Sequence, residues 1–386
     1  MPAIFSLSAI SAGFVAVLVG YSSAAIIIFQ AAAALGASDA QISSWLWALG
    51  MGMGLSSLGL SLYYRQPVLT AWSTPGAALL ISSLAGVSMS DAIGAFLLSS
   101  LLITLCGITG WFETLMSRLP KSLAAAMLAG VLFQFGLKLF QSLSINPVLV
   151  AVMLVAFVLL RIWSPRYVIP SVLLLGISIS LFQGQLHLDL VNWQFTTPVW
   201  VTPSFSLTSI IGVALPLFMV TMASQNIPGL ATLRANGFDA PASPLITWTG
   251  ITGVLLAPFG GFAFNLAAIT AAICMGNEAH PDRKLRYLAS SWAGAFYIIT
   301  GLFGATVVSL FAAFPAALTA TIAGLALLGT IGSALNAALQ DKQEADAALI
   351  TLLVTASGVS IGGVGSAFWG LIIGLGVYFI KRKAED

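Results

Sequence analysis

Three polar or broken tracts stand out in apolar sequence, and each has a chemical use. The first reads RQPVLTAWSTPGAALLIS. Its proline-led part, Gln66–Ser73, suits extended chain, and Thr74-Pro75-Gly76 signals a helix start, with Thr74 as N-cap and Pro75 at the first helical position. The second reads APFGGFAFNLAAITAAI. Gly260-Gly261 breaks a helix, Phe262–Phe264 can run extended, and Asn265 is expected to cap a new helix. A helix start carries unpaired N–H groups and about half a positive charge. Two such starts facing each other would hold an anion without a basic side chain, the competing reading being two merely kinked helices, since Pro and Gly are ordinary in membrane helices. The third tract, Ser224-Gln225-Asn226, precedes Pro228-Gly229. Adjacent amides in an apolar helix are costly unless they face a partner or a ligand. Gln225 or Asn226 is therefore expected to hydrogen-bond a ligand, packing between helices being the competing use. Trp72, Phe262 and Phe264 flank the breaks and could wall a flat ring, or simply pack. Tyr21, in the first apolar segment, could line the same site or sit as a buried tyrosine.

Other chemistries lack their residues. The sequence shows no nucleophile–base pair, zinc motif or phosphate loop, so an enzyme is not expected, nor a metal or cofactor. Cys106 and Cys274 have no CxxC partner and read as small apolar residues. A net charge of +2 with no basic cluster excludes nucleic acid. No Asp, Glu or His falls in the middle of an apolar segment, so a proton relay inside the membrane has no obvious carrier. Glu278 and His280, just after the second break, are the nearest titratable groups, and His280 reads as an ordinary loop histidine.

The elements that position these tracts follow from composition. The 386 residues are 59% hydrophobic and 7% charged, against about 25% charged in soluble domains. Lipid must be the main solvent. Charges and Pro/Gly breaks divide the chain into fourteen apolar segments, two of them the interrupted ones, with half-helices near 74–86 and 265–276. With the N-terminus in the cytoplasm, 13 of the 14 Lys and Arg fall on the cytoplasmic side, and the C-terminus lies there too. Lys138, the exception, is near a helix end and can snorkel. The expected fold is all-α: residues 1–184 and 207–386 form two seven-segment halves, joined by an extracytoplasmic linker at 185–206. An odd number per half inverts the second, the layout of inverted-repeat transporters. An echo supports it. Ser23, Gly36, Trp47 and Gly52 recur 201 positions on as Ser224, Gly237, Trp248 and Gly253, and Pro67, Thr74 and Ala77 recur 191 on as Pro258, Asn265 and Ala268.

The tracts QPVLTAWSTPGAALL (Gln66–Leu80), ASQNIPGLATL (Ala223–Leu233) and GGFAFNLAAITAAI with the following AHPD resemble the benzoate transporter family, the BenE-type benzoate:proton symporters. The resemblance covers nearly the whole chain. It implies a multi-pass carrier of the bacterial inner membrane that moves a small aromatic carboxylate with a proton. It further implies a core and a gate domain related in fold to nucleobase and anion-exchanger transporters, elevator-like motion, and a homodimer. Carried over by motif, Ser73, Thr74, Gly76, Gln225, Asn226, Gly261 and Asn265 become the site. Nucleobase carriers of this fold resemble one another in having acidic residues where this chain has Gln225, Asn226 and Asn265, which favours an anion over a nucleobase. A nucleobase, another small anion, or a non-transporting membrane scaffold are the alternatives.

Overall fold

The structure, a computed structural model, describes residues 6–84, 86–111, 120–163, 168–186, 191, 193–277, 279–359, 361 and 366–385. Glu113, Arg118, Arg166, Asp189 and Glu278, all charges the sequence places in loops, lie outside the described residues. The first half runs α1 (Leu7–Ala34), α2 (Asp39–Tyr64), β1 (Thr70–Trp72), α3 (Thr74–Ser83), α4 (Met89–Thr109), α5 (Lys121–Gln141), α6 (Pro147–Trp163) and α7 (Val168–Phe182). After an irregular stretch come α8 (Leu207–Arg234), α9 (Ala242–Leu256), β2 (Phe264–Leu266), α10 (Ile269–Met275), α11 (Tyr287–Leu302), α12 (Gly304–Ala312), α13 (Ala316–Leu339), α14 (Ala345–Ala356) and α15 (Ser366–Glu385).

Among the described residues, seven helices are long and apolar enough to cross a membrane, or eight if α11 and α12, bent by 70°, count as one span. The helices α6, α7 and α14 are apolar but shorter. Leu55, Ile108, Val155, Leu174 and Leu255 are exposed, an outer surface suited to hydrocarbon. Helices in lipid associate through close backbone approach at small residues. A methyl on Gly50 of α2 would stand 2.5 Å from Gly301 Cα of α11, and one on Gly54 would stand 2.7 Å from the Gly294 carbonyl oxygen.

The two interrupted tracts meet. Strands β1 and β2 pair antiparallel, with Thr70 opposite Leu266, Ala71 opposite Asn265 and Trp72 opposite Phe264. An isolated two-stranded ribbon leaves edge amides that lipid cannot satisfy. Helix α2 serves one edge: Ser57 Oγ accepts the Thr70 N–H at 2.9 Å, and Ser61 Oγ donates to the Val68 carbonyl at 2.7 Å. Helix α8 serves the other, where Asn226 Oδ1 accepts the Leu266 N–H at 3.0 Å. The Ala267 N–H continues the ribbon by donating to the Leu69 carbonyl.

Helix α8 reaches β2 through a widened π turn over Met222–Asn226, in which the Ile227 N–H donates to the Met222 carbonyl. Proline at 228 has no N–H, and its ring would crowd the Ser224 carbonyl in a regular helix. The extra residue in the turn relieves that crowding and brings Asn226 round to Leu266. Ahead of β2 the chain turns at Gly260, whose φ of +92° and contact with the Trp45 ring leave no room for a side chain. Gly52 and Gly253, which echo each other in sequence, both receive the ring of Phe264. Methyl groups there would stand 2.3 and 3.5 Å from it.

Two boundaries depart from expectation. Ser73, not Thr74, is the N-cap of α3: its backbone is extended, its Oγ accepts the Gly76 N–H at 3.0 Å, and Thr74-Pro75 are the first two helical residues. Proline fits either position, because neither N–H has a partner within the helix. Asn265 caps nothing. Its backbone is committed to β2 and its Nδ2 donates to the Ala263 carbonyl, so α10 starts four residues later, after Ala268. The half-helices thus shorten to Thr74–Ser83 and Ile269–Met275. The structural correspondence between the tracts, Thr70 to Phe264 and Thr74 to Ile269, is 194 and 195 positions rather than 191.

Candidate functional site

A cavity of about 880 Å³ opens beside the strand pair. One part of its wall comes from the interrupted tracts and the helices that hold them. Ala71, Trp72, Thr74 and Pro75 come from β1 and α3. Ala267, Ala268 and Thr270 come from the end of β2 and the first turn of α10. Ser224, Gln225 and Pro228 come from α8, Gly20 from α1 and Tyr297 from α11. The other part is mostly aliphatic: Ala124, Ala125 and Leu128 of α5, Ile169 and Pro170 of α7, and Leu327, Ala334 and Ala337 of α13, with Ser333 of α13 and Lys121 the polar exceptions. Lys121, at the start of α5, is the one charged side chain among the described residues of the wall. Lys121 and Ala337 also line a second, more open hollow with Ser122, Lys342 and Glu344, so the aliphatic side of the cavity runs out to a charged rim.

Both short helices begin at this cavity. In α3 the cap occupies the Gly76 N–H and the Ser73 carbonyl takes the Ala77 N–H. The α10 start has no side-chain cap, so its first amides are left for a ligand. The Trp72 indole lies edge-on to Tyr21, ring centres 4.9 Å apart, and Tyr21 lies 6.1 Å from Tyr297. The wall therefore offers the uncapped start of α10, the capped start of α3, a carboxamide, hydroxyls and aromatic faces, with no described acid among them. That set suits a flat apolar group bearing a negative charge. Among the described residues no cluster of His, Cys, Asp or Glu could hold a metal, and Cys106 and Cys274 are buried and not joined in a disulfide.

Of the residues singled out from sequence, Trp72, Thr74 and Gln225 line the cavity. The others surround it without reaching it. Ser73 is spent on the α3 cap. Gly76 makes room for Leu217 of α8, and a methyl there would stand 2.8 Å from that side chain. Asn226 is fully buried, tying α8 to β2. Asn265 holds the turn before β2. Gly261 packs on Leu256. Phe262 is buried behind the site against Trp45 and Phe96, at 5.7 and 5.2 Å between ring centres, and Tyr21 stands beside Trp72. His280 keeps to its loop, its Nδ1 accepting the Asp282 N–H. Sequence reasoning missed Gly20, Thr270 and Tyr297. Tyr297 lies in an unremarkable apolar segment, and only the packing of α11 against α1 and α2 brings it to the cavity.

The family model for the BenE benzoate membrane transport protein matches residues 3–380. The chain is 51% identical over 375 residues to the inner membrane protein YdcO of Escherichia coli K12, covering 97% of this chain and 96% of that one. It is 41% identical over 381 residues to the benzoate membrane transport protein of Acinetobacter baylyi, covering 99% and 97%. Among solved structures it is similar to the transmembrane domain of a cyanobacterium bicarbonate transporter, BicA, with a TM-score of 0.62 at 14% identity, covering 97% of this chain and 96% of that one. It is also similar to SLC26A9, with a TM-score of 0.59 at 12% identity, covering 96% of this chain but 65% of that longer one. At such identities the likeness is one of fold.

Proposed function

Because the chain belongs to the benzoate membrane transport family and is a multi-pass inner-membrane transporter, we propose that it carries a small aromatic carboxylate such as benzoate, with a proton. The observation that carries this reading is the convergence of two half-helix starts on one cavity. The carboxylate lies against the first turns of α3 and α10, where both helix dipoles favour negative charge and α10 adds its uncapped amides. The Thr74 hydroxyl and the Gln225 amide donate to it, and the ring lies along Trp72. An acid in this wall would repel the substrate, and none of the described lining residues is acidic.

In this proposal the chain crosses the membrane fourteen times, as halves 1–184 and 207–386 inverted about the linker 185–206, with both termini cytoplasmic. The core holds α1–α4 and α8–α11 with both strands; the gate holds α5–α7 and α13–α15; the core moves like an elevator against the gate in a homodimer. With no acid described in the cavity wall, the substrate itself is the proton's vehicle, bound as the anion and protonated on its way across.

Purified protein in nanodiscs tests the substrate class. Benzoate at a hundredfold excess over its Kd should stabilise the fold by about 2.7 kcal/mol, and uracil should leave it unchanged. Stabilisation by uracil and not by benzoate overturns the reading. Uptake into proteoliposomes tests coupling: benzoate accumulation that ignores an imposed pH gradient removes the proton from the scheme.

A further inference from the structure

Tyr297 belongs to none of the tracts considered so far. Its side chain is 2% exposed, yet it forms part of the cavity wall. Its hydroxyl and the methyl of Thr270 lie 3.2 and 3.8 Å from the point where a Gly20 side chain would begin. The hydroxyl therefore arrives beside the first turn of α10, in a gap that α1 leaves open by carrying glycine at 20. Gly20 lines the cavity at the same place. Behind the wall the Tyr21 ring, tilted by 36° to Tyr297 and edge-on to Trp72, packs between the two aromatic residues that line the cavity.

We infer that Tyr297 is a specificity-determining residue of the substrate site, donating its hydroxyl proton to the carboxylate of an aromatic acid at the α10 start. The inference rests on the aromatic-carboxylate reading above. A phenol is a neutral donor, so it attracts the anion without the desolvation cost of a buried cation. A hydrogen bond to a carboxylate is roughly twice as strong as one to a neutral carbonyl. Tyr297 thus favours benzoate over a neutral ring of the same size, such as benzamide. Gly20 sets access, because any larger residue would screen the hydroxyl.

Tyr297→Phe keeps the ring and removes only the donor. Titrated in nanodiscs, it should bind benzoate about tenfold or more weakly, bind benzamide as the wild type does, and melt at the wild-type temperature without ligand. Gly20→Ala should weaken benzoate by screening the same hydroxyl. In the Y297F background it should add little further loss, because the two changes act on one interaction. If Y297F binds benzoate like the wild type, or loses benzoate and benzamide equally with a lower melting temperature, Tyr297 is a spacer and the inference is overturned. If the wild type binds no aromatic acid at all, the substrate reading falls first and this assignment falls with it.

Discussion

Gln225 and Asn226 are neighbours of the same chemical class, and the structure gives them opposite work. Asn226→Ala removes the acceptor of the Leu266 N–H, in a side chain with no exposure. A buried donor left without a partner costs about 1–3 kcal/mol. Polar pairs in membrane helices average about 0.6, because the unfolded chain in lipid finds other partners. Leu266 has no such freedom, since its strand is fixed by pairing with β1 and by the Ala267–Leu69 bond. The loss should therefore fall near 1–2 kcal/mol. Gln225 lines the cavity, so Gln225→Ala should alter stability by less than about 0.5 kcal/mol and weaken benzoate about tenfold through one lost charge-assisted bond. Thermal unfolding in nanodiscs reads the first effect, and benzoate titration well below the melting temperature reads the second. If N226A melts like the wild type but fails to bind benzoate, while Q225A melts early, the assignment of the two amides is reversed and the cavity is misplaced.

Ser73→Ala should cost about 1 kcal/mol through loss of the α3 cap and lower the melting temperature, with Ser73→Thr restoring most of it. Lys121→Gln should raise the KM for benzoate uptake at low ionic strength, and the difference should close by about 1 M salt, where screening acts within about 3 Å; a KM difference that ignores salt would remove any steering role for the rim. Ala124→Trp, on the aliphatic wall, should leave equilibrium benzoate binding intact and abolish exchange across proteoliposomes; equal loss of both would place Ala124 in contact with substrate.

The large features were legible because they follow from solvent and backbone. Few charges forced the chain into lipid, and Pro67, Pro75 and Gly260-Gly261 marked places where helices start or stop. Both breaks were therefore visible, and the strand pair joins them. The register was harder to read. Asn265 looks like a cap because caps favour its side chain, but its backbone pairs with Ala71, and pairing across the fold cannot be seen along the chain. Asn226 and Phe262 were read as facing a ligand because local sequence shows a polar or aromatic residue without showing what it touches. One turned out to satisfy a strand edge, the other to pack on Trp45 and Phe96. Tyr297 left no signal, since its place depends on glycines of α2 and α11 letting two backbones touch.

The cavity wall divides by chemistry, and the division bears on how a carrier could work. Its polar and aromatic groups come from elements tied together by buried hydrogen bonds: β1 to α2 through Ser57 and Ser61, β2 to α8 through Asn226, and the strands to each other. Neither half-helix can slide alone without exposing strand amides to lipid, which is costly. The aliphatic part belongs to α5, α7 and α13. Two hydrogen bonds beside it stay on that side, Ser122 with Glu344 and Gln134 with the Ala356 carbonyl. A surface made mainly of alanine and leucine offers few directional bonds that must break when another surface moves past it. A substrate held by the two helix starts would therefore travel with them, and the seam between the walls is where the proposed elevator motion meets least resistance.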